Sequence, residues 1–540
     1  MKIISKYFWI VIVVISLLKL VLTSGFAPYL KQGFYYDDMM MFNITNSLLH
    51  GNWLGAYNDV ILTKGIVFPV IAALFSKVGI PFLLGCNFIY LFASLFVTMS
   101  LRNFIKNKTY LVFIYVLILF NPISYAMETF LRFYRNGVNV SIVLIFFGSI
   151  INWYYSKGNI KKNVLWAIVT GTSFFLVYSI REDYIWLLPA LALMIINNIW
   201  YYLKDSGLRR IYIPFIPIVI LVLLVNGVAY KNYFEYKTYT HNELTNSAFN
   251  DAYRKILEVK ANDELNKISV SNATLIMIGD ECPSFKMIAD TMIESPWTEK
   301  RYTGVIDGYL FWALRDSAMK KGYYKDSITS ERLWTSVSRE LDLAFKSGRL
   351  KKRVIFPFAL VSPYRASYNK ALVSNYKETL KFLYTYDKVK AEYGYTIATT
   401  ETKEAFDKMT HQSSRTVIGK ELRLDNQGNI QILNISLFVY KIINYILLIL
   451  GIASYLYLNI KRTKGTFLIH VMFISLLIFV SGIAYHQTTA YQAIAYHYLA
   501  PAYVLVVLFN LVAIYYVVKD NPNIFNKVGL YIKKILDIKI

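Results

Sequence analysis

The stretch Thr63-Lys64-Gly65-Ile66-Val67-Phe68-Pro69-Val70-Ile71-Ala72-Ala73-Leu74-Phe75-Ser76-Lys77-Val78-Gly79 decides how the chain is threaded. Hydropathy leaves it ambiguous. Gly65 to Gly79 is apolar but only fifteen residues long, with Pro69 and Lys77 inside it, and a bilayer crossing takes ~20. Whether it crosses fixes the side of every later loop.

Ten other apolar runs approach spanning length, at 7–26, 82–101, 109–127, 137–155, 164–180, 185–203, 211–230, 435–459, 466–485 and 495–518. The basic connections between them are Arg102/Lys106/Lys108, Lys157/Lys161/Lys162, Lys204/Arg209/Arg210, Lys461/Arg462/Lys464 and the tail with Lys519, Lys527, Lys533, Lys534 and Lys539. If Gly65 to Gly79 does not cross, all of these lie on the side of Lys2 and Lys6, as the excess of positive charge in cytoplasmic loops requires. If it crosses, the loops from 102 to 210 are on the wrong side. The stretch is therefore expected to be an external helix lying along the membrane surface, with both termini cytoplasmic.

Composition agrees with a membrane chain. Of 540 residues, 56% are hydrophobic and 17% charged, with 45 Tyr and 35 Phe. A cytosolic enzyme could not hide so much apolar surface, and a disordered chain would have far less of it. The net charge of +24 resides mostly in the cytoplasmic loops, so no nucleic-acid partner is implied. Cys86 and Cys282 are too few and too far apart for a disulfide framework or a metal cluster.

The expected fold is an α-helical integral membrane protein of about ten transmembrane helices with a mainly helical (α or α+β) external domain. Residues 1–230 form a membrane domain of seven spans whose first external loop, 28–81, holds two or more surface helices. Residues 231–434 form the soluble external domain, carrying 31 basic and 25 acidic residues. Three spans follow in 435–518, then a cytoplasmic basic tail at 519–540, amphipathic over 524–540. Within 231–434, Leu333, Trp334, Val337, Leu341, Ala344 and Phe345 recur at helical spacing and stop at Ser347-Gly348. Tyr309 to Met319 and Ala366 to Tyr393 read similarly, and short β elements are expected around Thr274 to Ile278.

Nine acids remain outside 231–434. Asp205, Asp520 and Asp537 fall in cytoplasmic segments. The other six, Asp37, Asp38, Asp59, Glu128, Glu182 and Asp183, all fall at the external face. Carboxylates near a bilayer are costly and are kept where they are paired or functional. Asp37 and Asp38 lie in Gly33-Phe-Tyr-Tyr-Asp-Asp-Met. A carboxylate beside a second negative charge, and partly dehydrated, has its proton affinity raised toward that of a general base. Asp38 also opens an expected helix and could cap it.

The acidic pair in the first external loop, the tryptophan turn Gly51-Asn52-Trp53, and Thr63-Lys64-Gly65 with Pro69 opening a surface helix resemble the GT-C superfamily of membrane glycosyltransferases. Protein O-mannosyltransferases and lipid A aminoarabinose transferases belong to it. The likeness covers roughly the first two hundred residues and the general layout. It departs at Gly65-Ile66, where relatives commonly have prolines, and at Asp-Asp, where many have Asp-Glu. The resemblance implies an inverting transferase that takes sugar from a polyprenyl-phosphate carrier at the external face of a bacterial cell membrane. By the same resemblance one of Asp37 and Asp38 deprotonates the acceptor, and Lys64 approaches the carrier phosphate.

Such a reaction needs cations where charge builds on the leaving phosphate. Lys64, Arg132, Arg135 and Arg181 are the outward-facing candidates, arginine being suited to bidentate contact with phosphate. Alternatively, Arg132 pairs with Glu128 at i, i+4 spacing, and Arg181 with Glu182 or Asp183. Asp59, Glu128, Glu182, Asp183, His486 and His497 are candidates for acceptor contact or support, the histidines alternatively packing in the interfacial aromatic belt. Phe311-Trp-Ala-Leu-Arg-Asp316 resembles segments of bacterial multispanning proteins and adds no chemistry.

No metal-ligand spacing is present, and assistance by a divalent metal is left open. Expected partners are the polyprenyl-phosphate-linked sugar, membrane lipid and a glycan, lipid or protein acceptor. Two other readings compete: a flippase for lipid-linked glycans, and a glycan-binding receptor acting through 231–434. A flippase would place ionisable groups through the membrane depth. The runs here are nearly free of them, Lys19 lying near an end from which it could reach the interface.

Overall fold

The computed structural model describes residues 6–181, 184–206, 208–245, 247–260, 265–299, 303–354, 364–416, 427–463, 465–490 and 495–521. It is mostly helical. Eight helices are long and apolar enough to cross a membrane: Phe82–Asn103, Asn136–Tyr155, Ile160–Tyr178, Ile185–Lys204, Ile213–Tyr236, Gly428–Ile460, Phe467–Thr489 and Tyr496–Asp520. Rows of large apolar side chains stand exposed on several, such as Val219, Val222 and Leu223, or Phe438, Ile442 and Ile449. Water would penalise such rows, whereas lipid would not.

The other two apolar runs form shorter helices, Phe8–Thr23 and Lys108–Leu119. The second stops early because Asn121-Pro122 follows. Pro122 has no N–H to continue the ladder, and the Asn121 side chain accepts the Ile123 amide at 3.2 Å to start a separate turn. Val67–Val78, within the deciding stretch, is twelve residues long and closes at Gly79, whose φ of +75° suits glycine. It buries Val67, Phe68, Ala72 and Ala73 and packs against Met40–Leu49 and Thr400–Thr410.

The segment 231–434 does not share one core. Residues 249–350 close on their own, around Phe249, Phe285, Trp334 and Leu341. Three antiparallel strands lie there in the order β1 (Ile268–Ser271), β3 (Gly304–Ile306), β2 (Thr298–Glu299). The β structure expected at Thr274 to Ile278 is displaced. Those residues are helical, because the Ser271 hydroxyl accepts the Thr274 amide and starts the helix Asn272–Glu281. Helices Leu310–Lys320 and Ser327–Lys346 match the periodic patterns. By contrast Phe382, Leu383, Tyr386 and Phe406 belong to the core of the apolar helices. The helix expected from Ala366 to Tyr393 is Asn369–Thr385, ended by Tyr386 in the left-handed conformation.

Lys19 does not reach an interface. It is buried, its Nζ donating to Ser124 Oγ at 2.6 Å and lying 4.8 Å from the Tyr125 ring centroid. Cys86 and Cys282 are both buried and free. The expected tail helix 524–540 lies outside the described residues.

Candidate functional site

Two short pieces of irregular backbone build the site. Residues 29–39 follow the helix Phe8–Thr23 and end in a π-turn, Tyr35–Met39, that runs directly into Met40–Leu49. Residues 127–135 begin with a second π-turn, Met127–Leu131, and leave it extended at Arg132. The pieces pair as neighbouring strands: the Tyr29 amide donates to Leu131 O at 3.1 Å and the Phe133 amide to Tyr29 O at 3.0 Å. That pairing places Arg132 beside the acids.

Asp38 caps no helix. Its Oδ1 accepts Arg132 Nε at 2.7 Å and lies 2.6 Å from Nη2, while Oδ2 accepts the Lys31 amide at 3.1 Å. Asp37 points the other way. Its Oδ1 accepts Lys64 Nζ at 2.5 Å and Tyr134 OH at 2.8 Å, and Oδ2 lies 3.6 Å from Arg132 Nη2. Lys64 Nζ also donates to Tyr36 O and Tyr134 OH, and lies 5.6 Å from the Trp312 centroid. The Asp37 side chain is 39% exposed and that of Asp38 0%. Of the adjacent pair, only Asp37 has an exposed side chain.

Their charges are set differently. Burial pushes the Asp37 carboxyl upward, but Lys64, then Arg132 and the Tyr134 hydroxyl, more than reverse it and hold it well below the usual carboxylate range. The expected rise from its acidic neighbour is thereby overturned at Asp37, because two cations face it. Burial dominates at Asp38 and raises its carboxyl despite Arg132 and the Lys31 amide. At Arg132 burial opposes the charge, and Asp38 and Asp37 restore it and more.

The remaining candidates divide. Glu128 joins the cluster, 3.7 Å from Arg132 Nη1 and 3.3 Å from Lys31 Nζ, so the i, i+4 pairing also forms. Arg135 donates to Ile180 O at 3.1 Å and Arg181 to Asn136 Oδ1 at 2.7 Å, tying the end of Ile160–Tyr178 to the start of Asn136–Tyr155. His497 lies within electrostatic reach of Arg132, Glu128, Arg181 and Asp37. His486 stands apart, exposed near the end of Phe467–Thr489 and close to Gly308. Asp59 is buried away from the pair, and burial, opposed by Arg315, raises its carboxyl. Glu182 and Asp183 lie outside the described residues.

Several members carry no sequence signal as a site. Tyr134 bridges Lys64 and Asp37, and Tyr496 OH accepts the Glu128 amide at 3.0 Å. Among so many tyrosines neither stands out. Arg315 could have been found. It occupies the apolar face of Leu310–Lys320 with Phe311, Leu314 and Ala318, where a charge demands a partner. Fully buried, it pairs with Glu243 and donates to Asp59 O at 2.5 Å and Ile61 O at 3.1 Å. Glu243 and Asn242 in turn donate to Leu62 O and Thr63 O, at 2.8 and 3.0 Å. The stretch containing Arg315, expected to add no chemistry, pins the loop that ends in Lys64.

Among the described residues no group of three or more His, Cys, Asp or Glu side chains is arranged to hold a metal ion. No protein-family model and no curated protein sequence matches the chain.

Proposed function

We propose that the chain is an integral-membrane glycosyltransferase that moves a sugar from a polyprenyl-phosphate carrier to an acceptor hydroxyl, with inversion at the anomeric carbon. The observation that carries this reading is one accessible carboxylate, Asp37, held among Lys64, Arg132 and Tyr134 where several helix ends converge. Ten spans, the Val67–Val78 helix on the external membrane surface, and both termini in the cytoplasm of a bacterial cell complete it.

In this scheme the acceptor oxygen attacks the anomeric carbon. The bond from that carbon to the phosphate oxygen breaks, and its electron pair leaves with the phosphate. The acceptor proton passes to Asp37. Lys64 and Arg132, with Arg135 and Arg181 behind them, receive the charge that develops on the phosphate. Without donor, Lys64 is engaged by Asp37. A phosphate that shares Lys64 weakens its hold on Asp37 and raises the proton affinity of that carboxylate as the acceptor becomes acidic. Asp38 does not touch substrate; it positions Arg132.

The test uses the purified full chain in liposomes with undecaprenyl-phosphate-linked glucose, mannose and aminoarabinose, measuring release of undecaprenyl phosphate. Release that disappears in Asp37→Asn, with a cooperative thermal unfolding transition retained, is the expected result. Full turnover in that variant, or donor crossing the bilayer with no sugar released, would falsify the reading.

A further inference from the structure

Next to Asp37 in the chain, Tyr35 and Tyr36 meet two further aromatic rings from separate segments. Tyr36 lies 4.6 Å from Trp312 and 5.5 Å from Trp297, and Tyr35 lies 5.0 Å from Tyr36, edge-on. The tryptophans belong to the 249–350 unit and the tyrosines to the π-turn that carries Asp37. Tyr35 is 44% exposed. A carboxylate borders the rings: Asp316 Oδ2 accepts Trp297 Nε1 at 2.6 Å and Lys320 Nζ at 2.7 Å. Lys64 touches both sides, through Asp37 on one and the Trp312 face on the other.

An aromatic belt in contact with lipid would sit on the outward faces of membrane helices. These rings instead lie between a connecting loop and the separately packed 249–350 unit. The matching ligand is apolar on its faces and rich in hydroxyl donors at its rim, which describes a pyranose ring. We propose that Tyr35, Tyr36, Trp297 and Trp312, with Asp316, form a saccharide-binding subsite adjoining Asp37. The proposal rests on the transferase reading for the reaction the sugar then meets, but the binding itself can be measured apart from it.

The experiment is saturation-transfer NMR on the detergent-solubilised full chain with methyl glucosides, mannosides and galactosides. Axial ring protons are expected to receive saturation. Tyr35→Ala, at an exposed position, and Trp312→Phe are expected to weaken binding about 3- to 10-fold, the range of one aromatic contact. Absence of saturation for every pyranoside, or unchanged binding in both aromatic variants, overturns the subsite. Binding without transfer by the wild type keeps the subsite and removes the transferase reading. Transfer that is indifferent to Tyr35→Ala and Trp312→Phe does the reverse. Where transfer is measurable, a raised KM for donor or for acceptor in Tyr35→Ala identifies which substrate carries the bound ring.

Discussion

Asp38 meets Arg132 through two guanidinium nitrogens on one oxygen, at 2.7 and 2.6 Å, with none of its side chain exposed. Its neighbour Asp37 shares the same arginine at 3.6 Å but remains 39% exposed. One acid therefore holds the cation and the other is available. Asp38→Asn is expected to leave Arg132 short of its main counter-charge and to cost about 3–5 kcal/mol, as removal of one member of a buried pair does. Asp37→Asn is expected to cost much less stability and to remove turnover. Thermal unfolding in detergent, run beside the undecaprenyl phosphate assay, separates the two effects. Equal destabilisation by both variants would contradict the division.

The depression of the Asp37 carboxyl comes from Lys64 above any other favourable partner. A group whose folded pKa is depressed contributes stability above its unfolded value and loses it as pH falls through the folded value. Asp37 thus stays ionised through the ordinary carboxylate range. Wild-type turnover is expected to persist there, and in Lys64→Gln the acid limb of the kcat profile is expected to move to higher pH. An unmoved limb would show that Lys64 does not set the charge of Asp37.

Gly65 packs directly on the backbone at Ser179: a methyl group added there would lie 1.9 Å from the Ser179 carbonyl oxygen. That oxygen also accepts the Val67 amide at 3.3 Å. Gly65→Ala is expected to push apart the 63–67 loop and the end of Ile160–Tyr178, lowering both yield of folded protein and turnover. Backbone obstructs it, so no side-chain rotation relieves the clash. Wild-type unfolding temperature and rate in this variant would refute the close approach.

His241 is buried, with Nε2 2.8 Å from Ser179 Oγ and its ring stacked on Tyr178 at 4.9 Å. Burial lowers its pKa from 6.5 to about 4. Between these values the unfolded chain binds a proton that the folded one excludes, so stability falls as pH drops from 6.5 toward 4. The loss attributable to this group is about 3 kcal/mol at most. His241→Gln is expected to flatten the unfolding temperature over that window relative to wild type. An identical slope in both would assign the acid sensitivity elsewhere.

Arg315 binds the loop 57–63 through Glu243 and two backbone carbonyls. Arg315→Met alone leaves Glu243 buried with much of its compensation gone and is expected to be strongly destabilising. Adding Glu243→Gln is expected to recover part of the loss, a non-additivity that a double-mutant cycle in thermal unfolding would measure. Additive effects would mean the two do not act as a pair.

The charge of the loops and the length of the apolar runs are properties of the chain itself. From them the sequence yields the helical membrane layout and the brevity of the 65–79 helix. Eight of the ten runs are helices of crossing length, and the cause of one shortfall, Asn121-Pro122, is visible in the sequence. The distance of Lys19 from its helix end says nothing of Ser124, 105 residues away, which its Nζ reaches.

Only the tertiary structure decides between Asp37 and Asp38. They are chemically identical neighbours, and what separates them is Arg132, Lys64 and Tyr134, which lie from 27 to 97 residues away along the chain. Helix-forming and membrane-crossing tendencies are local and survive in sequence patterns. Burial and charge at a carboxylate are set by whatever is folded against it. In this protein the 249–350 unit acts on the pair indirectly, Trp312 lying against Lys64 and Arg315 holding the loop that leads to it.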